Sequence, residues 1–542
     1  MRNCPLQGFT GASILALRDT SFHEFYTKKG EPDLMTGHDT AKIIPLWLLI
    51  FLQAGISASS LIVEIVAGRM IAPYVGMSLY TWTSIIAVVL AGFSVGHWWG
   101  GKIASLPTER ALRITGWTMI AAACTTAGAT LLLRAFAGPV VETFTHPLAA
   151  ITVLSFLAFF LPSLFAGVPA PILTVVAMRD RKRSEQALGA MFASGAVGAI
   201  FGTLLAGFLF VPWIGSVKTL LVITCVYVIA ALICFRIGKA KGHAARAPVL
   251  ALGVALGTGI WALSLPPVCD RESSYYCIRT VAVSDNPDDP VNLMVVDHLA
   301  HGISAREAPR VMFTEHAAML DALPRMRMDT AQFTSFHIGG GTYSVPRAWA
   351  DRGIGGITIA EIDPVVTEVA VDQFWFDPAS ATILHEDARV ALRRSTQTFD
   401  VIVGDAFTDI AAPEHLVTRQ FFDLVSRRLS PDGVFVMNLL DNLDRLDALA
   451  AVVVTLRDVF PSVEVWTDAR PPQTGERRVF VLLASGSDSA FSVIDARSPD
   501  LTRFQALGSA FIDGIVQQKN AQVLTDDHAP LAYLMGFDPA ID

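Results

Sequence analysis

Charged side chains are scarce in this chain: only 17% of its residues are Asp, Glu, Lys or Arg, whereas soluble globular proteins carry about a quarter. The formal net charge of −8 argues against a nucleic-acid partner, which would require a basic face. Histidine and cysteine do not cluster with the spacing of a zinc site, so we expect no metal. The mean hydropathy of +0.48 must therefore come from long apolar segments.

The scarcity of charge is confined to residues 43–267, whereas residues 268–542 have the composition of a soluble protein. A helix needs about 20 apolar residues to cross a bilayer core. Runs of this kind predict seven spanning helices, at 43–66, 80–101, 114–136, 147–178, 187–213, 217–235 and 248–267. We therefore expect a multi-pass α-helical membrane domain at 43–267, preceded by a polar tail at 1–42.

Small and ionisable residues inside these runs indicate how the helices pack. Glycines recur at helical spacing, which favours close backbone approach, at Gly92, Gly96, Gly100, Gly198 and Gly202. An acidic residue at membrane depth usually faces the bundle interior. Glu64 is therefore expected either to pair with Arg69 or His97, or to line a path for a polar solute.

After residue 267 the pattern changes to strands. Alternating residues at 275–283 and 291–296 predict a hairpin, followed by a helix near 309–322, and together they form a lead-in at 268–330. Between 331 and 542, predicted strands alternate with helices, which is typical of a doubly wound, mostly parallel sheet. The predicted strands lie near 332–338, 357–361, 381–385, 399–404, 433–438, 462–466 and 478–484.

Polar and glycine residues follow the first four strands of this α/β domain, at the edge where such sheets bind ligands. Gly339–Gly341 end the first strand and allow backbone to approach a ligand closely. Glu361 closes the second and is placed to accept two ribose hydroxyls, Asp387 follows the third and is placed to accept from adenine, and Asp405 ends the fourth. Glu361 and Asp387 could instead cap helices. Ser344 replaces the last glycine of GxGxxG, which argues against an NAD-linked oxidoreductase.

The chain resembles fused membrane proteins of the spermidine-synthase-like family. The resemblance rests on EIVAGRMIAPYVG and WTSIIAVVLAGFSVGHWWGGKIA in the apolar half, and on GGG, AEIDP, HEDARV, VGDAFTD, APEHLVT and LTDDHAPL in the other. It implies a Rossmann-like, class I AdoMet-dependent fold. In that fold Gly339–Gly341 would hold the methionine-derived part of the co-substrate, Glu361 the ribose, and Asp387 with Ala388 the adenine, while Asp405 would stand near the transferred group.

Several positions depart from the family pattern. Thr342 replaces an aspartate after the glycines, His301 takes the place of a glutamine, and Phe313–Glu315 replaces Tyr-His-Glu. The second acid of the catalytic segment, Asp409, stands one residue later than in the family. A neutral Thr342 removes a like-charge penalty against the carboxylate of AdoMet. The chain is therefore expected to accept AdoMet as well as decarboxylated AdoMet.

The resemblance implies aminopropyl transfer from decarboxylated AdoMet to a diamine, with release of methylthioadenosine. The altered acceptor positions keep two variants open, methyl transfer from AdoMet and cleavage of AdoMet by a lyase. An alternative of another class is a membrane carrier with a nucleoside-sensing domain. The expected partners are the lipid bilayer, a small amine or other acceptor, and a second copy of the chain in a homodimer.

The side of the inner (plasma) membrane on which the C-terminal domain lies stays open. Basic residues cluster after the second, fourth and sixth runs, which places those loops in the cytoplasm and the C-terminal domain outside. Cys269 and Cys277, eight residues apart, could form a disulfide in an oxidising compartment or remain two unrelated thiols. The expected co-substrate is made in the cytosol, which favours the opposite side.

Overall fold

The computed structural model describes residues 44–144, 146–179, 183–239, 243–328, 330–406 and 413–535. The tail predicted at 1–42 and the predicted catalytic residue Asp409 lie outside the described residues. The described chain has a helical N-terminal part and an α/β C-terminal part.

The N-terminal part is a bundle of long helices. Two long helical rods of the bundle each consist of consecutive helices joined by a single π-helical turn. These turns are Phe156–Phe160 and Ala206–Phe210. The helices are α1 (Leu46–Val75), α2 (Leu79–Ala104), α3 (Thr108–Thr143), α4 (Pro147–Ser155), α5 (Leu161–Gly167), α6 (Pro169–Met178), α7 (Ser184–Leu205), α8 (Val211–Ile214), α9 (Ser216–Ile237) and α10 (His243–Ser264).

Six of these rods are long and apolar enough to cross a membrane: α1, α2, α3, the rod Leu148–Met178, the rod Ser184–Ile214 and α9. The seventh predicted run, 248–267, falls on α10. α10 is 22 residues long, and the apolar stretch among its fully described residues is Ala251–Ser264. Among the described residues, length and composition therefore support six spans, and the seventh span stays a prediction.

The glycine rows bring helix backbones into contact, as predicted. A Cβ atom built on Gly96 of α2 would lie 2.2 Å from the carbonyl oxygen of Leu164 in α5. One built on Gly198 of α7 would lie 2.2 Å from the carbonyl oxygen of Ala54 in α1. These distances are shorter than any van der Waals contact, so the crossings require glycine at these positions.

The expected pairing of Glu64 is wrong. Within the described residues no ion pair joins Glu64 to Arg69 or His97, and Arg69 turns toward the C-terminal part instead. Its guanidinium Nη2 donates to the carbonyl oxygen of Ser273 at 2.8 Å. Backbone carbonyls beyond α10 thus accept from Nη1 and Nη2 of Arg69, while its buried Nε has no hydrogen-bond partner among the described residues.

Two further contacts join the two parts. Arg134 of α3 donates through Nη2 to the carbonyl oxygen of Pro266 at 2.6 Å, and Glu272 accepts from the backbone N–H of Ser216 at 3.0 Å. Just beyond α10, Cys269 and Cys277 form a disulfide with Cα atoms 5.2 Å apart. This outcome decides between the two alternatives for these cysteines.

The C-terminal part contains two sheets. The lead-in is a four-stranded antiparallel sheet in the order β1-β2-β3-β4, so the predicted hairpin gains a strand on each side. Its strands are β1 (Arg271–Glu272), β2 (Cys277–Ala282), β3 (Val291–Val296) and β4 (Leu299–Ala305), and the helix α11 (Glu315–Arg327) follows.

The large sheet has nine strands in the order β12-β13-β10-β11-β9-β8-β5-β6-β7. Five of them, from β7 to β9, are parallel, and the others pair antiparallel, so the sheet is mixed rather than mostly parallel. The strands are β5 (Ser335–Ile338), β6 (Ile357–Ala360), β7 (Thr382–Leu384), β8 (Phe399–Gly404), β9 (Leu429–Asn442), β10 (Ser462–Asp468), β11 (Arg477–Ser485), β12 (Val493–Ser498) and β13 (Asp500–Ala506).

Helices cover both faces of this sheet. They are α12 (Ser344–Asp351), α13 (Pro364–Phe374), α14 (Ala388–Arg394), α15 (Arg419–Arg428), α16 (Asp447–Arg457), α17 (Ser509–Lys519) and α18 (Leu531–Met535). Along β8, Val401 and Val403 pack into one core while Ile402 packs into the other. Apolar residues on both faces of a strand are typical of a sheet covered on both sides, which leaves the strand ends as the place for polar chemistry.

We predict that Gly198→Ala destabilises the bundle by about 1–3 kcal/mol, because the added methyl group must displace the backbone of α1. Thermal unfolding in detergent would measure the effect. Gly189→Ala on the same helix is the control, because its Cβ would meet nothing within 4 Å, and it should be neutral or stabilising. Equal stability of the two variants would show that the crossing tolerates a side chain.

Candidate active site

The carboxyl ends of the parallel strands open into a cavity of about 470 Å³. This volume is in the range of small-molecule sites. Many of the residues predicted from the sequence contribute to its wall: His301, Gly339, Gly340, Gly341, Glu361, Asp387, Ala388 and Asp405. The edge of the sheet has therefore gathered residues that are more than 100 positions apart in the chain.

The glycine turn after β5 depends on two properties of glycine. Gly339 has a φ of +90°, and a Cβ atom there would lie 2.4 Å from the carbonyl oxygen of Asp405. A Cβ atom on Gly340 would lie 2.4 Å from the ring of Tyr343. The turn therefore fits tightly between its neighbours and presents backbone to the cavity.

Glu361, directly after β6, is 6% exposed. Its Oε2 accepts from the N–H of Gly340 at 2.8 Å and its Oε1 from the N–H of Asp363 at 2.9 Å. Burial raises the pKa of this carboxyl group, while the backbone donors oppose that rise. Each oxygen has a second lone pair, so the fixed carboxylate can accept from two adjacent hydroxyls in the cavity.

Asp387 caps α14 and lines the cavity at the same time. Its Oδ1 accepts from the N–H of Val390 at 2.9 Å, which confirms the capping alternative. Its Oδ2 lies 2.7 Å from Nε2 of His415, another wall residue. Ala388 beside it presents only a methyl group, so this end of the cavity can hold a flat group next to a carboxylate.

Asp405, directly after β8, is held by Asn438 of β9. The Nδ2 of Asn438 donates to Oδ1 of Asp405 at 2.8 Å, and this bond fixes which way the amide points. Asn438 is 9% exposed, yet no donor in the described part of the chain reaches its Oδ1. An unsatisfied buried acceptor costs about 1–3 kcal/mol, so the pair is suited to receive a ligand that donates hydrogen bonds.

Two histidines from the lead-in complete this end. His301 on β4 and His316 on α11 line the cavity with Asp405. Burial lowers the pKa of His316, and the nearby charge of Asp405 opposes that shift. Thr342 lies in the wall of a smaller neighbouring cavity of about 30 Å³. There its hydroxyl is 2.6 Å from that of Ser344, so no charge replaces the family's aspartate.

Five polar or aromatic wall residues are not among those predicted from the sequence: Tyr275, Tyr276, His316, His415 and Asn438. Asn438 could have been found from the sequence, because it is the polar residue inside the apolar run VFVMNLL. The two tyrosines and His316 come from the lead-in, whose position over the sheet edge is a tertiary property.

Comparison with known proteins agrees with this arrangement. Residues 338–488 match the family described as the spermine/spermidine synthase domain. The C-terminal part of this chain carries a spermine/spermidine synthase domain. The match begins at the last residue of β5 and includes the glycine turn and the three acids.

Relatives of the synthase domain have more than one described activity. A polyamine aminopropyltransferase of Vibrio vulnificus is 31% identical over 36% of this chain and 66% of its own length. An N-terminal histidine N-methyltransferase of Emericella nidulans is 29% identical over 36% of this chain and 38% of its own length. The chain thus spans between about two fifths and two thirds of these relatives.

A solved structure described as a probable spermidine synthase from Corynebacterium glutamicum aligns with 48% of this chain and 97% of its own. The TM-score is 0.42 at 21% identity.

We predict that binding of methylthioadenosine weakens on acidification at a pH above 4.5, the ordinary value for glutamate, because the pKa of Glu361 is raised. Below the raised pKa the carboxyl group is neutral and has lost acceptor capacity. Glu361→Gln should bind about 10–100-fold more weakly at neutral pH and lose this pH dependence. Calorimetric titrations between pH 4.5 and 8 would measure both effects.

The control for this prediction is Glu386→Gln, since Glu386 pairs with Arg394 at the surface and does not line the cavity. It should bind as the unaltered chain does at every pH. A Glu361→Gln variant that keeps the full pH dependence would exclude Glu361 as the titrating group.

Proposed function

We propose that the synthase domain binds AdoMet or decarboxylated AdoMet in the 470 Å³ cavity and transfers a group from its sulfonium to an amine. The observation that carries the proposal is the convergence of Glu361, Asp387 and the Asp405–Asn438 pair on one cavity. The first two acids fit the donors of a ribose and an adenine. The third acid, Asp405, remains available to bind the reacting nitrogen of the acceptor.

Asp405 and Asn438 would orient the acceptor amine. The free lone pairs of Asp405, held by the amide of Asn438, can accept its N–H groups and direct the nitrogen lone pair at the carbon next to sulfur. As the new C–N bond forms, the C–S bond breaks and its electrons neutralise the sulfonium. The proton released from nitrogen passes to Asp405. Orientation and one proton acceptor are sufficient, because a sulfonium is already a good leaving group.

The transferred group decides between the reactions. Attack on the aminopropyl carbon of decarboxylated AdoMet releases methylthioadenosine, and attack on the methyl group of AdoMet releases S-adenosylhomocysteine. Aminopropyl transfer is supported by the relatives named polyamine aminopropyltransferases. The methyltransferase relative and the neutral Thr342 support methyl transfer as the second candidate.

We predict that Asp405→Asn lowers turnover by about 100-fold or more, while binding of methylthioadenosine stays within threefold, about the spread of ordinary substitutions. The full chain in detergent would be incubated with either donor, with and without putrescine, and the nucleoside products separated by chromatography. Asp432→Asn, at an exposed position near the start of β9, should keep full activity.

The products distinguish the candidates. Methylthioadenosine that requires putrescine supports aminopropyl transfer, S-adenosylhomocysteine supports methyl transfer, and methylthioadenosine from AdoMet alone supports a lyase. Binding without any product would contradict the transferase and favour a nucleoside-sensing domain. Unchanged turnover of Asp405→Asn would remove Asp405 from its role.

We further infer that the bundle is embedded in a bilayer, that α10 crosses it as the seventh span, and that the synthase domain lies on the non-cytoplasmic side. The C-terminal part contacts Arg69 and Arg134, both past the middle of helices α1 and α3, and Ser216 at the start of α9. Basic residues lie at the opposite ends of these helices, where cytoplasmic loops carry their positive charge: Lys102, Arg110, Arg179, Arg183, Arg236 and Lys239. The Cys269–Cys277 disulfide also favours an oxidising compartment.

A reporter fused after Asp542 tests this placement. We predict activity of a periplasm-dependent phosphatase fused there and no fluorescence of a protein that folds only in the cytoplasm. Fusions after Lys239, in the turn that follows α9, should give the reverse pattern. Fluorescence of the cytoplasmic reporter after Asp542 would place the synthase domain inside.

A further inference from the structure

One wall of the cavity is formed by a short loop that lies between the helical bundle and the large sheet. We call residues 269–277 the tyrosine loop; the disulfide between Cys269 and Cys277 closes it. Tyr275 and Tyr276 of this loop line the cavity. Tyr275 is 44% exposed, so packing does little to keep that ring in place, whereas Tyr276 packs against the core.

Arg69 of α1 holds the tyrosine loop from the bundle side. Its Nη2 donates to the carbonyl oxygen of Ser273 at 2.8 Å, and its Nη1 donates to that of Tyr275. A guanidinium is planar and its donors keep a fixed spacing. Two carbonyls bound by one guanidinium therefore keep a fixed relation to each other and to α1.

The contact continues from the loop to the proposed ribose-binding acid. The hydroxyl of Ser273 donates to Oδ2 of Asp363, and the N–H of Asp363 donates to Oε1 of Glu361 at 2.9 Å. Asp363 is 1% exposed and also caps α13 through the N–H of Val365 at 3.0 Å. One connected path of hydrogen bonds thus runs from α1 to Glu361.

The charge of Arg69 acts on the same path. Burial raises the pKa of Asp363, while the hydrogen bond from Ser273 and the positive charge of Arg69 lower it. Glu368 opposes them, and Asp363 in turn raises the pKa of Glu361. Removal of Arg69 therefore favours protonation of Asp363 at a higher pH.

We propose that Arg69 is a positioning residue of the nucleoside site, so that the helical bundle shapes the cavity in addition to anchoring the chain. The proposal rests on the proposed function, because it assumes that the cavity binds an adenosyl compound. Through the tyrosine loop, Arg69 would set the position of Tyr275 and Tyr276 on one side of the ligand and of Glu361 on the other.

Arg134 supplies a matched control. It also belongs to the bundle and donates to a backbone carbonyl of the C-terminal part, that of Pro266 at 2.6 Å. It makes no hydrogen bond with the tyrosine loop in the described structure. If Arg69 merely holds the two parts together, Arg69→Met and Arg134→Met should behave alike.

The experiment measures methylthioadenosine binding by calorimetry with the full chain in detergent at several pH values. Arg69→Met should weaken binding by about tenfold or more and change its pH profile, because the pKa of Asp363 rises and the charge of Asp363 acts on Glu361. Arg134→Met should stay within about twofold, the range of a surface substitution. Arg69→Lys should recover part of the affinity, because one ammonium can reach one of the two carbonyls.

A second measurement does not need the ligand. Mild reductant should open the Cys269–Cys277 disulfide faster in Arg69→Met than in Arg134→Met, as read by alkylation and mass spectrometry, because the loop loses its contact with Arg69 and keeps that of Glu272 with Ser216. Equal binding, equal pH profiles and equal reduction rates of the two variants would overturn the proposal. If the unaltered chain does not bind methylthioadenosine, the proposed function fails, whatever the reduction rates show about the loop.

Discussion

The buried carboxylate of Glu361 is the interaction on which the C-terminal part depends. A charge at 6% exposure is tolerated only where donors surround it, and here the N–H groups of Gly340 and Asp363 supply them. The glycine turn after β5, the end of β6 and the start of α13 must therefore meet at one point. Each of these N–H groups uses one lone pair of a Glu361 oxygen, so both oxygens keep a lone pair for a ligand in the cavity.

Much of the site was predictable because it follows from the regularity of parallel strands. When strands alternate with helices, the residue after each strand reaches the same edge of the sheet. The positions of Glu361, Asp387 and Asp405 could therefore be read from local patterns alone. Asn438 could be predicted in a similar way, because a polar side chain inside a buried strand requires a hydrogen-bond partner.

What could not be predicted comes from contacts between distant segments. The lead-in sheet places His301, His316 and the tyrosine loop over the strand edge, and no local pattern gives its orientation. The strands β12 and β13 lack a strong apolar alternation, so the antiparallel half of the sheet was underestimated. Arg69 has an acidic residue in the preceding helical turns, yet backbone carbonyls beyond α10 provide its partners.

The length of α1 has a consequence for how the synthase domain responds to its surroundings. Its 30 residues form a rod of about 45 Å, longer than the roughly 30 Å of a bilayer core. A rod of excess length leans over, and the angle depends on the thickness of the lipid layer. In the bilayer placement proposed above, the guanidinium of Arg69 would travel with the rod, and lipid thickness would become a mechanical input to the shape of the proposed nucleoside cavity.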